Sequence, residues 1–395
     1  MKHFLDSLSA RRKLVVAELF LVYFAFGIGL IMLGSVLPAM REAYHLDYKV
    51  GGLLISIQAI GYLGSGLFTG AAAVKLGQKP AYVLLYALMP LGFVMMLVNG
   101  APLWLMAAML LVGLSKGAIT DYNNRIMSSY SGGDAQPLNL LHASFAVGAC
   151  LSPLLALSCL KTGADGWRLA MVISTLVLLS AVVLGLFTHM DKVQPVGEKT
   201  GGGDPHGFFR ETIFWQTVLI GFFYQAVEAT VMGWMTSYYI DSGLLSPDSA
   251  QTVTALLWAA LLIGRFACSL IAAYWRPWKM MLVMSVGIVA FLGLLLVGAG
   301  VPAVLLATVG LGLCMSGMYG TSVANAGDIF DRYPACMGLF VTMTGVGGAL
   351  TPQIVGFVAD STGSLRVGFS VLLVAALCLL VTAAVNGLRL RKQTT

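Results

Sequence analysis

The chain has 395 residues, of which 58% are apolar and only 10% are charged, and its formal net charge is +6 at pH 7. A soluble domain carries roughly 25% charged residues, so this composition excludes an ordinary soluble fold. The apolar stretches are long and lack the alternation of strands, which excludes a membrane β-barrel. The sequence therefore predicts an all-α membrane protein.

Charged residues, prolines and glycines divide the chain into twelve apolar segments. Each is long enough to cross a hydrocarbon core of about 30 Å, which takes roughly 20 residues. In the first half the predicted helices are 14–40, 51–73, 80–99, 102–127, 138–160 and 167–190. In the second half they are 211–240, 249–274, 278–299, 301–327, 334–358 and 365–388.

The longest connection, 191–210, contains three consecutive glycines and is predicted to be a flexible cytoplasmic linker. It separates an N-terminal six-helix bundle, 1–190, from a C-terminal one, 211–395. Most lysines and arginines fall on one side of the predicted helices, which places both termini in the cytoplasm. We expect a multi-pass protein of a bacterial inner membrane, and the basic side accounts for the net charge without a nucleic-acid partner.

The two halves repeat one another. The run V-G-A-C-L-S-P at 147–153 recurs as V-G-G-A-L-T-P at 346–352, an offset of 199 residues (346 minus 147). Gly113 in the fourth helix recurs as Gly312 in the tenth at the same offset. These matches predict two pseudo-symmetric parallel repeats, an architecture in which the substrate site lies between the halves near the bilayer midplane.

Two six-helix halves with a cytoplasmic linker resemble the major facilitator superfamily. Its signature loop between the second and third helices is similar to 70–79 here, where Gly70, Lys75, Gly77 and Lys79 match. The resemblance implies that these four residues form a gating loop. Val74 stands where the family has an aspartate, so the resemblance does not extend to the residue that latches this loop.

Within this superfamily the chain is most similar to the branch of the fucose–proton symporter and the sodium-dependent glucose transporters. The likeness lies in D-Y-N-N at 121–124, in L-N-L-L-H-A-S-F-A-V-G-A at 138–149, and in the seventh and eighth helices around Glu228 and Arg265. The symporter's acid in the first helix falls near Gly34, where this chain has no acid.

A charge at the centre of a bilayer costs about 2.5–3.5 kcal/mol, so ionisable residues within helices mark candidate sites. The candidates are Glu18, Lys116, Asp121, Arg125, His142, Glu228 and Arg265. We predict that Asp121 and Glu228 bind the coupling ion, and that Lys116, Arg125 and Arg265 are charge partners. Asp121 also fits a static salt bridge with Arg125, and Glu228 also fits a sodium ligand.

Sugars have many hydroxyl groups and apolar ring faces, which amides and aromatic side chains suit. We predict that the substrate contacts Gln58, Asn124, Asn139, His142, Tyr224, Gln225, Trp234, Trp258, Tyr319 and Asn325. The same residue types also anchor helices at the membrane interface or join helices by hydrogen bonds.

The leading hypothesis is ion-coupled uptake of a small neutral sugar or related polar solute by alternating access, with H⁺ favoured over Na⁺. The alternative is proton-coupled export of amphipathic or cationic compounds, and a third is a membrane sensor without transport. No motif for ATP hydrolysis, metal binding or another enzymatic reaction is found. We therefore expect no enzyme activity, no cofactor and no metal. The expected partners are a small molecule and the lipid bilayer, and the expected state is a monomer.

Overall fold

The structure is a computed structural model that describes residues 8–131, 135–188, 207–243, 245–298, 300–327 and 329–392. Side chains are not described at 67, 70, 135, 136, 139, 331, 334, 335 and 392. Within the described ranges all regular structure is helical. The predicted all-α class is therefore confirmed.

The helices of the first half are α1 (Ala10–Tyr44), α2 (Tyr48–Leu76), α3 (Gln78–Val98), α4 (Pro102–Ser131), α5 (Ala135–Leu160) and α6 (Gly166–Phe187). Those of the second half are α7 (Thr212–Asp241), α8 (Pro247–Ile271), α9 (Pro277–Val297), α10 (Val301–Met315), α11 (Met318–Asn325), α12 (Ile329–Arg332), α13 (Pro334–Thr362) and α14 (Leu365–Lys392). The long helices begin and end within a few residues of their predicted bounds.

Helix ends follow local sequence signals. Ser246 caps the start of α8, where its side chain accepts a hydrogen bond from the Ser249 N–H and Pro247 occupies the first turn. Both features satisfy or remove backbone donors that a helix start leaves unpaired. Gly363 ends α13 with a φ of 67°, a left-handed conformation that glycine adopts without steric cost.

Eleven described helical segments are long and apolar enough to cross a membrane, with Val301–Asn325 counted as one. The remaining long helix, α2, has 29 residues and includes side chains that are not described. These helices confirm the predicted multi-pass, twelve-helix membrane protein.

The tenth predicted helix, 301–327, is not continuous. It breaks at Ser316 and Gly317, between α10 and α11. The Ser316 hydroxyl donates to the Leu313 carbonyl at 2.7 Å, which offers the backbone an alternative to the helical ladder. The predicted tenth span is therefore present, but it is interrupted at this point.

The chain divides into two compact units. The first consists of Met1–Leu46 and Ile57–Pro195, and the second consists of Asp47–Ser56 and Val196–Thr395. The first turns of α2 thus group with the second unit, where the Tyr48 hydroxyl donates to Asp241 Oδ2 at 2.9 Å. The predicted bundle limits at 190 and 211 remain a prediction.

Most of the predicted linker lies outside the described residues, but its end does not. Residues Gly207–Arg210 form a 3-10 turn. The Phe208 side chain is buried against Phe214, with ring centroids 4.9 Å apart. This part of the predicted flexible linker is therefore ordered, because an aromatic side chain docks it on the second unit.

The predicted internal repeat has a structural counterpart in the closest helix pairs of each unit. In the first unit, Gly148 of α5 lies directly against the Phe24 carbonyl of α1. In the second unit, Gly347 of α13 lies in the same way against the Phe222 carbonyl of α7. A Cβ at either glycine would overlap the neighbouring backbone, so both pairs depend on glycine for their approach.

A second pair of contacts repeats at the same offset. Gly113 of α4 lies against the Gln58 carbonyl of α2, and Gly312 of α10 lies 2.8 Å, measured from its ideal Cβ, from the Leu257 carbonyl of α8. The contact partners are themselves 199 residues apart (257 minus 58). The matched glycines therefore mark equivalent helix crossings in the two halves.

Candidate functional site

The predicted acid of the first unit, Asp121, is paired within its own helix. Its Oδ1 accepts a hydrogen bond from Arg125 Nε at 2.7 Å, one turn along α4. The Asp121 and Arg125 side chains are 30% and 55% exposed. The pair is thus accessible, and its carboxylate already has a counter-charge.

Two predicted substrate residues of the first unit meet at one tyrosine of α1. The Tyr23 hydroxyl donates to Asn124 Oδ1 of α4 at 2.8 Å. The His142 ring of α5 lies edge-on to the Tyr23 ring, with centroids 5.2 Å apart. Asn139 belongs to α5, but its side chain lies outside the described part of the chain. Tyr23 therefore joins α4 and α5 in one polar and aromatic cluster.

Lys116 of α4 and Gln58 of α2 are two further predicted residues of the first unit. The Lys116 ammonium lies over the Tyr62 ring of α2, 4.9 Å from its centroid, which is a cation–π contact. The Gln58 side chain is half-buried in α2. Of the two predicted charge partners of Asp121, Arg125 forms an ion pair with it, whereas Lys116 contacts an aromatic face.

The predicted gating loop is the connection from α2 to α3. Gly77 precedes α3 with a φ of 87°, and Lys75 is exposed. Lys79 Nζ donates to the Leu186 carbonyl at 2.6 Å, so it binds the C-terminal end of α6. A cation at this end of a helix is favourable because unpaired carbonyls and the helix dipole meet there. Gly70 falls in α2, and its surroundings are not described.

The predicted acid of the second unit, Glu228, bonds to a predicted substrate residue. The Tyr224 hydroxyl lies 2.8 Å from Glu228 Oε1 and 2.9 Å from the Met315 carbonyl. Met315 is the last residue of α10, so this carbonyl lies at the break before α11. Tyr224 is buried and Glu228 is half-buried. One tyrosine hydroxyl therefore connects an acid of α7 with the broken tenth helix.

Three other predicted residues of the second unit lie in α7 and α8. The half-buried Arg265 of α8 is close enough to Tyr224 to act on it electrostatically. The side chain of Gln225 lies against Gly348 of α13. Trp258 of α8 is buried. Arg265 is thus the cation that the structure places near the Tyr224–Glu228 pair.

The predicted substrate residue Trp234 is fully buried in α7. Its Nε1–H donates to the Pro352 carbonyl of α13 at 3.3 Å. The Tyr48 ring lies 6.1 Å from its ring, centroid to centroid. In this conformation Trp234 joins helices within the second unit.

Asn325 and Tyr319 are the remaining predicted residues. Asn325 Nδ2 donates to Asn386 Oδ1 of α14 at 3.0 Å, and Asn386 Nδ2 donates to Gln216 Oε1 of α7 at 3.1 Å. Asn325 thus belongs to a side-chain chain that links three helices. Tyr319 of α11 is 38% exposed, and its ring lies 5.7 Å from that of Phe340.

Sequence reasoning missed Tyr23 and the Met315 carbonyl that accepts from Tyr224. Tyr23 gives no signal of its own, because an aromatic residue in an apolar helix is unremarkable. The helix break had one signal, since adjacent serine and glycine are a known cause of helix kinks. Among the described residues, no group of three histidine, cysteine or acidic side chains could hold a metal ion.

A family model described as the Major Facilitator Superfamily matches residues 19–297. Major facilitator superfamily domain-containing protein 4A of Mus musculus is 27% identical over 164 residues, which are 41% of this chain and 32% of that protein. The match thus spans about a third of that relative's length. Bypass of stop codon protein 6 of Saccharomyces cerevisiae is 20% identical over 400 residues, covering 89% of this chain and 78% of that protein.

Solved structures share the fold over nearly the whole chain. A nucleoside transporter has a TM-score of 0.78 at 14% identity, covering 96% of this chain and 99% of its own. A D-xylose–proton symporter has a TM-score of 0.77 at 13% identity, covering 94% and 96%. The Escherichia coli fucose:proton symporter has a TM-score of 0.63 at 18% identity, covering 94% and 98%. At these identities the likeness extends to the fold alone.

Proposed function

Because the chain belongs to the Major Facilitator Superfamily and is a multi-pass membrane transporter, we propose that it is a proton-coupled symporter for a small neutral polar solute. The observation that carries this proposal is the position of the Tyr224 hydroxyl between Glu228 Oε1 and the Met315 carbonyl. Uptake follows by alternating access, with a sugar or a nucleoside as substrate.

The two contacts of Tyr224 indicate where a proton resides. A tyrosine hydroxyl has one proton and can donate one hydrogen bond. A carbonyl supplies no proton, so with an ionised Glu228 the hydroxyl would divide one proton between two acceptors, whereas a protonated Glu228 carboxyl gives each contact a proton of its own. The carboxyl then donates to the Tyr224 hydroxyl, which donates to the Met315 carbonyl. This supports Glu228 as the group that binds the coupling proton.

Loss of that proton would change the bonding at the helix break. The Tyr224 hydroxyl would turn to the Glu228 carboxylate, and the Met315 carbonyl would lose its donor. Arg265, which acts on the same tyrosine, would balance the new negative charge. Proton release would thus favour a different arrangement of α10 and α11, as coupling between ion binding and conformation requires.

Asp121 takes a different role in this proposal. Its carboxylate already accepts a charged hydrogen bond from Arg125, so it does not need a proton for neutralisation. We assign it to substrate binding or gating in the first unit, and we assign its neighbouring cluster to the substrate. Tyr23, Asn124 and His142 offer hydroxyl, amide and ring contacts that suit a sugar or nucleoside.

The same substrate class is supported by the similar solved structures, which include a nucleoside transporter, a D-xylose–proton symporter and a fucose:proton symporter. We further propose a bacterial inner membrane location, cytoplasmic termini and a monomer. No cofactor beyond the coupling ion enters the proposal. One proton crossing about 100 mV supplies about 2.3 kcal/mol, enough for roughly 50-fold accumulation.

The proposal is tested with purified protein in proteoliposomes, using a panel of sugars and nucleosides and imposed H⁺ or Na⁺ gradients. Glu228→Gln should abolish accumulation driven by a pH gradient but retain exchange of labelled for unlabelled substrate. Asp165→Asn is the matched control, because Asp165 is 85% exposed before α6. The proposal is wrong if Glu228→Gln still accumulates substrate, if only Na⁺ drives uptake, or if the protein exports cationic amphiphiles.

A further inference from the structure

Glu18 is a buried acid in the third turn of α1 that the proposed function does not use. Its side chain is 0% exposed. Oε1 accepts a hydrogen bond from the Tyr82 hydroxyl of α3 at 2.8 Å. Oε2 is buried and has no hydrogen-bond partner among the described residues. Gly185 of α6 leaves room for this carboxyl, since a Cβ there would lie 2.9 Å from Oε1.

A row of buried polar groups continues from Glu18 toward α4. The Tyr82 and Tyr86 rings lie close together, with centroids 3.9 Å apart and planes tilted by 40°. The Tyr86 hydroxyl donates to Asn123 Oδ1. Tyr82, Tyr86 and Asn123 are all at least 98% buried. Three helices of the first unit thus enclose one acid and three polar side chains, out of reach of solvent.

The charged groups near Glu18 do not neutralise it. Among the described residues Lys79 is a cation that acts on Glu18 electrostatically, and its ammonium donates to the Leu186 carbonyl. Within the described ranges no ion pair reaches Glu18. The other groups that face it are Tyr82 and Thr188, and His142 of α5 contacts α1 at Tyr23, five residues further along the helix.

A bare carboxylate in this position would be costly, because it would be fully buried, with no ion pair in the described part of the chain and no hydrogen bond to Oε2 there. A neutral carboxylic acid leaves a single hydrogen bond unmade, which costs far less. We propose that Glu18 is a proton-binding site of the first unit and holds a proton in this conformation.

This site is separate from the acids considered so far. The fucose–proton symporter's acid in the first helix corresponds to a position near Gly34, sixteen residues further on (34 minus 18). At 1.5 Å per residue the two positions are about 24 Å apart along the helix. The inference also goes beyond the proposed function, which puts the coupling proton on Glu228 in the second unit.

Infrared spectroscopy of the purified protein in D₂O at neutral pH tests the proposal. A protonated carboxyl absorbs at a C=O frequency well separated from carboxylates. Glu18→Gln should remove one component of this band, whereas Glu42→Gln, an exposed control at the end of α1, should leave the band intact. Glu228→Gln should remove a different component, so the experiment tests the two proton sites separately.

Two further variants keep the test decisive if Glu18→Gln does not fold. Tyr82→Phe removes the donor to Oε1 and should raise the frequency of the Glu18 component without removing it. Lys79→Met should leave that component unchanged. The proposal is overturned if the band responds neither to Glu18→Gln nor to Tyr82→Phe. It is also overturned if the component appears only after Lys79→Met, because that would mean an ion pair between Lys79 and an ionised Glu18.

Discussion

The hydroxyl of Tyr224 is the atom on which the two contacts at the helix break depend, so Tyr224→Phe is the sharpest test of that arrangement. The ring is 2% exposed and would keep its packing, whereas the bonds to Glu228 and to the Met315 carbonyl would be lost. The carbonyl belongs to the last residue of α10, so no helical donor replaces the hydroxyl. We expect the variant to lower the free energy of unfolding.

The structure also indicates how much stability Tyr224→Phe should lose. A buried acceptor left without its donor costs about 1–3 kcal/mol, and we expect Tyr224→Phe to fall in this range. The bond between Tyr224 and Glu228 is measured separately by a double-mutant cycle with Glu228→Leu. Side-chain hydrogen bonds between residues of membrane helices couple by about 0.6 kcal/mol on average and about 1.7 kcal/mol at most. This range corresponds to a factor of roughly 3 to 18 in the unfolding equilibrium constant.

The measurement is equilibrium unfolding in mixed micelles with increasing sodium dodecyl sulfate, followed by tryptophan fluorescence. Tyr274→Phe is the control, because Tyr274 is 88% exposed in the turn after α8 and should change stability by less than about 0.5 kcal/mol. A coupling energy of zero would refute the bond between hydroxyl and carboxyl. A Tyr224→Phe variant as stable as the control would refute the role of the hydroxyl at the break.

Three other substitutions test contacts elsewhere, each by thermal unfolding in detergent. Gly148→Ala should lower the stability of the protein by about 1–3 kcal/mol, because the added methyl group overlaps the α1 backbone. Gly293→Ala is the control and should be neutral or stabilising, since nothing lies within 4 Å of the added methyl group. Equal effects of the two substitutions would contradict the close approach of α1 and α5. Lys79→Met should cost only about 0.3–1 kcal/mol at the end of α6; a larger loss would mean a further partner. Asn386→Leu should lower the stability of the protein by about 1–3 kcal/mol, because the Asn325 amide loses its hydrogen-bond acceptor. If the substitution weakens only substrate binding and leaves stability unchanged, Asn386 is not a structural link.

The number, length and class of the helices could be predicted because they depend on local properties. A run of about 20 apolar residues predicts a spanning helix wherever it occurs. Glycine, proline and charged residues at the ends limit the error to a few residues. The internal repeat can also be read from the sequence, because Gly148 and Gly347 make backbone contacts that only glycine allows and so occur in both halves. The break at Ser316 was overlooked because both flanking segments are apolar.

The partners of the polar residues could not be predicted, because they come from distant parts of the chain. The Tyr23 hydroxyl bonds Asn124, 101 residues away, and Asn386 bonds Gln216, 170 residues away. These helices are apolar around their whole circumference, so hydropathy does not show which face of each helix points into the protein. The sequence marks Glu228 as an isolated acid, but only the structure shows that the Tyr224 hydroxyl lies between this carboxyl and the Met315 carbonyl.

The interruption between α10 and α11 also determines where deuterium can enter this protein. The first backbone bond of α11 runs from the Thr321 N–H to the Gly317 carbonyl at 2.9 Å. The amides just before it stand at a helix start, where N–H groups lack an acceptor within their own helix. Inside a continuous membrane helix such amides are protected from isotope exchange for very long times. The exchange rate of these amides would therefore measure how readily water reaches the break. No label has to be attached to the protein for this measurement.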